Sequence, residues 1–184
     1  AVFSTGGYVA GPALLAALWK RRPIVVLEPN AVPGFTHRKC ASFVSYALLG
    51  FSETQRWFPS GRSEVTGMPV REQFFSLQEP PRGAFTVLVT GGSQGARSLN
   101  RAVAESLPLW KREGVRVIHQ SGLLEFENAE RVFRASGVSG EVRPFLPNIA
   151  DAYAQAHVIV SRSGMGALSE IAAAGRPSVL VPFP

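Results

Sequence analysis

The sequence predicts an α/β protein built on parallel β-sheets. Short, β-branched apolar runs alternate along the chain with segments whose apolar residues recur at helical spacing, and glycine-rich turns join several of them. Strands that alternate with helices form βαβ units, in which the strands run parallel. The strands are almost continuously apolar, which is typical of a sheet that helices cover on both faces.

Residues 85–184 show this alternation most clearly. We predict strands over 84–90, 115–120, 141–146, 157–162 and 178–183. One helix is expected after the glycine-rich stretch that follows the first of these strands, and further helices over 123–136, 147–156 and 166–175. Gly137 and Gly175 end two of these helices and Pro147 begins a third, since glycine favours the end of a helix and proline its first turn.

Residues 1–75 follow the same plan less completely. We predict a glycine turn over 5–12, helices over 13–21 and 35–43, and strands over 23–28 and 44–51. Residues 76–84, SLQEPPRGA, contain two prolines and little apolar content, so we expect an interdomain linker there. The predicted organisation is a first domain over 1–75, a linker over 76–84 and a second domain over 85–184.

Composition and charge limit the classes of function. The net charge is +6, with basic clusters at 19–23 and 36–40, and this favours nucleic acid, phosphorylated metabolites or an acidic membrane surface as partners. No apolar run approaches the roughly 20 residues that cross a bilayer, and the first residues lack the basic start of a signal peptide. Cys40 is the single cysteine. We therefore expect a soluble, cytosolic protein without disulfides.

Several other kinds of site find no support in the sequence. His37, His119 and His157 are scattered and lack metal-ligand spacing. The chain has no Walker loop and no G-x-S-x-G nucleophile elbow, and its aromatic residues do not interleave with the basic clusters as in a nucleic-acid module. We expect no metal, no cofactor and no nucleic-acid partner.

The glycine-rich stretch GGSQGA directly follows a predicted strand and precedes a helix. Gly91 and Gly92 allow the chain to turn sharply, and at Gly95 the missing side chain lets a ligand approach the backbone N–H groups. Ser93 and Gln94 add polar contacts. Because a helix N-terminus binds anions, the stretch predicts a phosphate or pyrophosphate site, with a plain tight turn as the alternative.

Two further glycine turns share this pattern. TGGYVAGP (5–12) carries Tyr8, which could stack on a ring or cover the core. SRSGMGALSE (161–170) follows a strand and carries Glu170, which could accept hydrogen bonds from ribose hydroxyls or be an exposed helix residue. Glycine turns at the ends of parallel strands predict one ligand cleft between the domains.

Two polar residues outside the glycine turns are also candidates. Arg71 lies just before the predicted linker, where it could reach a phosphate, or it could be an ordinary surface arginine. Asn30 lies on a loop after a strand and could bind a sugar hydroxyl or form a turn.

Six segments, taken in order along the whole chain, resemble the MurG family of bacterial glycosyltransferases. They are TGGYVAGP (5–12), EPNAVPG (28–34), TGMPVR (66–71), LVTGGSQGARSLN (88–100), HQSG (119–122) and SRSG with SEIAAAGRPSVLVPFP (161–184). The resemblance implies a GT-B fold, in which two Rossmann-like domains with parallel sheets face across a cleft. It also implies inverting, metal-independent transfer of N-acetylglucosamine from UDP-N-acetylglucosamine to lipid I, which gives lipid II for peptidoglycan at the cytoplasmic face of the bacterial cell membrane.

The resemblance also implies roles for individual residues. The UDP-N-acetylglucosamine contacts would be Asn30, Arg71, Ser93, Leu146, Met165, Gly166, Ala167, Leu168, Ser169 and Glu170. Ser93 would bind the diphosphate in a loop completed by Gly91, Gly92, Gln94 and Gly95. Leu146 would place its backbone against the uracil, and Glu170 would bind the ribose hydroxyls. The loop of Thr5, Gly6, Gly7 and Tyr8 would face the diphosphate of the acceptor, and the basic clusters would hold anionic lipid head groups.

The chain departs from the family pattern at several points. Leu27 and Pro29 stand where the family usually has His and Gln, and Met68 and His37 each replace an Asn. The family's first glycine-rich loop, with the histidine proposed as catalytic base, and its downstream Asp-Arg-Gln-Gln stretch have no counterpart here. We therefore expect a central fragment that lacks both family termini, contains no identified catalytic base and is inactive by itself.

Three alternatives stay open at this point. The chain could belong to another GT-B enzyme that glycosylates a different lipid, or it could be a non-catalytic nucleotide-sugar-binding module that needs a partner chain. A basic nucleic-acid binder is the third alternative, and its affinity would fall steeply with salt and ignore UDP.

Overall fold

A computed structural model describes residues 1–182 of the chain. Two compact units are present, Ala1–Pro69 and Val70–Pro184. This division differs from the predicted domain end at residue 75, because the short 3-10 helix Glu72–Ser76 buries Phe74 completely in the core of the second unit. Composition alone could not reveal this, since two phenylalanines stand side by side here and only Phe74 is buried, whereas Phe75 is exposed.

The first unit contains one parallel sheet of four strands in the order β1-β2-β3-β4. Its elements are β1 (Val2–Ser4), α1 (Ala10–Trp19), β2 (Ile24–Glu28), α2 (Phe35–Cys40), β3 (Tyr46–Leu49) and β4 (Ser63–Val65), with 3-10 helices at Ala41–Phe43 and Ser52–Trp57. Helix α1 begins three residues earlier than predicted, because Pro12 falls in the first turn, where its missing N–H costs no hydrogen bond. Strand β4 has three residues, of which only Val65 is apolar, and it was not predicted.

The core of the first unit lies between its sheet and its helices. Leu14 and Ala17 of α1 pack with Ile24 and Val26 of β2, and the cluster continues through Leu49 of β3. Burying one such aliphatic side chain contributes about 1.5–3 kcal/mol. This packing supports the loops that follow β1 and β2.

The second unit contains a parallel sheet of five strands in the order β7-β6-β5-β8-β9. Its elements are β5 (Thr86–Thr90), α3 (Arg97–Arg112), β6 (Arg116–Gln120), α4 (Phe126–Ser136), β7 (Gly140–Arg143), α5 (Ile149–Gln155), β8 (Val158–Arg162), α6 (Met165–Ala174) and β9 (Ser178–Val181), with a 3-10 helix at Leu123–Glu125. The predicted alternation of strands and helices is confirmed.

Several predicted ends move by a few residues. Strand β7 ends at Arg143, before Pro144, and not at residue 146. Strand β9 ends at Val181, and residue 183 of the predicted strand lies outside the described residues. Helices α4 and α6 end as predicted, because Gly137 and Gly175 adopt the left-handed conformation with φ of 68° and 61°.

Helices cover both faces of the second sheet, as the apolar strands predict. Leu88 of β5 packs in a cluster that includes Ile171 of α6, whereas Val87 and Val89 pack on the other face in a cluster that includes Val103 of α3. Within residues 1–182, no helix is both long and apolar enough to span a bilayer.

Candidate functional site

The main candidate site lies where the strand order of the second sheet reverses. The chain leaves β5 through α3 on one face of the sheet and leaves β8 through α6 on the other, so the carboxyl ends of these adjacent strands open into a crevice. Open α/β sheets bind ligands at such a point. The structure has a cleft of about 530 Å³ there, which we call the switch-point cleft. Its lining includes Arg71, Thr90, Gly91, Gly92, Ser93, Gln120, Leu146, Tyr153, Ser161, Met165, Gly166, Ala167 and Glu170.

The glycine loop after β5 is held by hydrogen bonds on both sides. The hydroxyl of Thr90 accepts from the backbone N–H of Gly92 at 3.2 Å, and the carbonyl of Gly92 accepts from the amide of Gln120 at 2.8 Å. A side-chain Cβ at Gly91 would collide with the backbone of Ala96. The loop therefore has one well-defined shape before any ligand binds.

Gln120 was not predicted as a site residue, although it lies within the quoted segment HQSG. It is buried at the end of β6. Its side-chain oxygen accepts from the backbone N–H of Leu146 at 3.1 Å, while its amide donates to Gly92. One side chain thus fixes both the glycine loop and the backbone beside Leu146, and a polar residue at the end of an apolar strand is the signal that points to it.

The start of α6 forms the opposite wall of the cleft. Gly164 caps the helix in an extended conformation, and Met165, Gly166 and Ala167 form its first turn along the cleft. The first N–H groups of a helix have no partner within it, and together with the helix dipole they favour a negative charge. The glycine loop and α6 thus provide backbone donors suited to phosphate groups.

Glu170 and Arg71 form an ion pair within this cleft. The guanidinium Nη2 of Arg71 lies 3.2 Å from Oε1 of Glu170, and the guanidinium carbon Cζ lies 4.9 Å from the ring centroid of Phe74. The two side chains are 52% and 25% exposed, so solvent screens the pair and its contribution to stability is small. Both groups are available to a ligand that offers better partners.

Below this pair lies the fully buried side chain of Tyr153. Its ring meets Phe74 edge to face at 5.1 Å between centroids. Burial raises the pKa of Tyr153, the charge of Glu170 raises it further, and Arg71 opposes the shift. The phenol therefore stays protonated at neutral pH.

The structure brings most of the predicted donor residues into one cleft. Gln94, Gly95, Leu168 and Ser169 do not line it. Gly95 instead packs against the backbone of Ser121, which explains why no larger residue fits there. Among residues 1–182, no group of three or more His, Cys, Asp or Glu side chains is arranged to hold a metal ion.

Asn30 and the loop of residues 5–8 belong to the first unit. The carboxylate of Glu28 is buried and accepts three hydrogen bonds of 3.1 Å, from the backbone and side-chain N–H groups of Asn30 and from the backbone of Gly34. Asn30 is thereby held in a fixed turn.

The same carboxylate connects to the loop at 5–8 through a buried histidine. His37 donates through Nδ1 to Glu28 Oε2 at 2.8 Å, and its Nε2 shares a hydrogen bond of 3.1 Å with the hydroxyl of Ser4. That hydroxyl accepts from the backbone N–H of Gly6 at 3.1 Å. Burial alone would raise the pKa of Glu28, but the hydrogen bonds from His37, Asn30 and Gly34 outweigh it and lower that pKa.

A small cavity of about 170 Å³ lies beside this chain of hydrogen bonds. It is lined by Gly6, Gly7, Tyr8, Gly34, Phe35, Thr36 and His37. The hydroxyl of Thr36 donates to the carbonyl of Gly7 at 3.1 Å, which further fixes the loop. Tyr8 is exposed, so it does not cover the core of this unit.

Comparison with known proteins agrees with this architecture. Residues 86–184 match the model of the glycosyltransferase family 28 C-terminal domain, and residues 1–48 match that of the N-terminal domain. The crystal structure of MurG from Acinetobacter baumannii superposes with a TM-score of 0.75 at 32% identity, covering 100% of this chain and 53% of that one. The fold is therefore the expected GT-B type of α/β structure with parallel sheets.

Relatives in sequence carry the corresponding enzyme name. The UDP-N-acetylglucosamine–N-acetylmuramyl-(pentapeptide) pyrophosphoryl-undecaprenol N-acetylglucosamine transferases of Solibacter usitatus and Halorhodospira halophila are 54% and 43% identical, over 100% of this chain and 52% of each relative. The chain spans about half the length of the curated relatives it matches. Since the C-terminal domain model alone covers more than half of the chain, the chain belongs to glycosyltransferase family 28.

Proposed function

We propose that the chain binds UDP-N-acetylglucosamine in the switch-point cleft and serves the transfer of N-acetylglucosamine to lipid I, the undecaprenyl-diphosphate-linked muramyl peptide. One observation carries this proposal. In a chain of family 28, a loop of backbone N–H donors and the carboxylate of Glu170 lie in the same cleft, at the point where the strand order reverses. The names of the sequence relatives support the sugar and the acceptor.

Different residues of the cleft would bind different parts of the nucleotide-sugar. The diphosphate would bind to Ser93, Gly91 and Gly92. The backbone at Leu146 would contact the uracil, and Glu170 would accept hydrogen bonds from the ribose hydroxyls. A departing UDP accumulates negative charge, and N–H groups that are already oriented stabilise it without a metal. We expect inversion at the sugar carbon by direct displacement and no cofactor.

The first unit would provide the acceptor side. Its loop of Thr5, Gly6, Gly7 and Tyr8 would face the acceptor diphosphate, and Asn30 would contact the donor sugar. The cavity beside Gly6 and His37 supports a role in binding, and the hydrogen bonds of Glu28 support a fixed loop shape.

We further propose that this unit rests on an anionic membrane surface at the cytoplasmic face. Tyr8, Val9 and Trp19 are more than four-fifths exposed. Lys20, Arg21 and Arg22 directly follow Trp19 in the sequence, and α2 carries two further basic residues, Arg38 and Lys39. Aromatic residues favour the membrane interface, and each basic residue near an anionic surface contributes about 1 kcal/mol.

Co-sedimentation with anionic vesicles should therefore fall for the triple variant Lys20→Ala, Arg21→Ala, Arg22→Ala. It should remain at the wild-type level for the control variant Arg131→Ala, Arg134→Ala, Arg143→Ala.

Calorimetric titration of UDP-N-acetylglucosamine into the chain tests the donor site. We expect binding that exceeds binding of NAD and that weakens about tenfold in Glu170→Gln, because the charged acceptor of the ribose hydroxyls is lost. Glu105→Gln, on the exposed surface of α3, is the matched control and should bind as the wild type does. A folded chain that does not prefer UDP-N-acetylglucosamine to NAD would contradict the proposal.

A further inference from the structure

The hydroxyl of Tyr153 is the one buried side-chain polar atom among residues 1–182 that lacks a hydrogen-bond partner. The tyrosine ring is well accounted for, because it packs against Phe74 and fills the core beneath α6. The hydroxyl is not accounted for by packing. A buried hydroxyl without a partner is destabilising, so natural proteins rarely keep one without a use.

The position of this hydroxyl suggests what it binds. Tyr153 lines the switch-point cleft together with Glu170 and Arg71, and the pair formed by these two residues is exposed and weak. A ligand that engaged Glu170 would therefore come to lie close to the phenol. Since burial keeps the phenol protonated, it would act as a hydrogen-bond donor.

The charges near the Tyr153 hydroxyl limit which group of a ligand can bind there. Glu170 brings a carboxylate to this end of the cleft, and because Arg71 is paired with it, no net positive charge remains beside Tyr153 to attract a phosphate. The backbone donors suited to phosphate lie at the glycine loop, from Gly91 to Ser93, and at the start of α6. The group that meets Tyr153 is thus a neutral oxygen, either a ribose hydroxyl or a carbonyl of the base.

We propose that the Tyr153 hydroxyl is a specificity-determining group that donates a hydrogen bond to a neutral oxygen of the nucleoside part of the ligand. The inference rests on the proposed nucleotide-sugar function and adds a donor that faces the nucleoside next to Glu170. Free protein leaves this donor unpaired, and the bound nucleoside satisfies it.

The variant Tyr153→Phe tests the inference, because it keeps the ring and removes only the hydroxyl. UDP and uridine should each bind about threefold to tenfold more weakly, the range that one buried neutral hydrogen bond supports. Without ligand, the melting temperature should be unchanged or higher, since an unpaired buried group has been removed. Removal of a purely structural hydroxyl would instead lower the melting temperature and leave the affinity for UDP unchanged.

Tyr46→Phe is the matched control. Its hydroxyl bonds Glu64 on the exposed surface of the first unit, so UDP affinity should not change. Wild-type affinity for UDP in Tyr153→Phe would overturn the inference while leaving the proposed function intact. Failure of the wild-type chain to bind UDP would instead overturn the proposed function, and the inference with it.

Discussion

At the scale of single residues, the buried carboxylate of Glu28 is the most heavily bonded side chain of the first unit. It accepts from Asn30, Gly34 and His37, and through His37 and Ser4 it reaches the loop at Gly6. The departure from the family pattern at His37 is thereby explained as part of a buried network. A network of this kind is stabilising only while every member is bonded.

Glu28→Gln should destabilise the first unit by about 1–3 kcal/mol at pH 7, because a buried ionised acceptor is lost. The folded pKa of Glu28 lies below its ordinary value, so its contribution is complete above that value and disappears as the pH falls through the lowered pKa. The difference between variant and wild type should therefore shrink at acid pH. Urea unfolding at pH 7, 5 and 3 measures it, and a difference that is constant with pH would contradict the assignment.

At the scale of elements, the loops that follow β5 and β6 pack against each other through their backbones. Gly95 and Gly122 have φ of 75° and 80°, and a Cβ on either would collide with the backbone of the opposite loop. The glycine loop of the cleft is thus held from behind by the loop at 121–122. Its shape depends on two elements and not on its own sequence alone.

Gly95→Ala should destabilise the second unit by roughly 2 kcal/mol more than Gly92→Ala does. Both positions have positive φ, so both substitutions carry the backbone strain of a left-handed alanine. A Cβ on Gly92 meets nothing within 4 Å, whereas one on Gly95 meets the backbone of Ser121. Thermal unfolding of the two variants separates the backbone strain, which both share, from the steric collision, which only Gly95→Ala has. Equal melting temperatures would show that the two loops can move apart and relieve the collision.

At the scale of the whole molecule, each unit carries one buried ionisable group that makes it sensitive to acid. In the first unit this is Glu28, and in the second it is His119, whose pKa burial lowers to about 4. His119 donates through Nε2 to the side-chain oxygen of Asn100 at 2.9 Å, because the amide of Asn100 is already donating to Ser121. The two groups act over different ranges of pH.

The second unit should lose stability as the pH falls from about 6.5 to about 4. In this range the unfolded chain binds a proton on His119 that the folded chain does not, so folding weakens by roughly 3 kcal/mol in total. The first unit should lose its Glu28 contribution only below about 4.5. Denaturant unfolding at pH 7, 5.5 and 4 should show a smaller slope with pH for His119→Gln, and an unchanged slope would refute the role of this histidine.

The sequence by itself determined the alternation of strands and helices, the glycine turns and the helix ends at Gly137 and Gly175. These features follow from local rules, since helical and strand periodicities and the freedom of glycine act within a few residues. Most of the predicted donor residues line one cleft for the same reason, because the glycine loop and the start of α6 are continuous segments.

Only the tertiary structure decided which separate segments meet. Four features join residues that are far apart in the chain: the order of the strands, the pairing of Arg71 with Glu170, the placement of Phe74 in the second core and the hydrogen bonds of Gln120. Such contacts depend on how the helices pack on the sheet, and no local spacing encodes them. The unpaired hydroxyl of Tyr153 belongs to this class, since a tyrosine in an apolar helix is indistinguishable from a core residue until its surroundings are known.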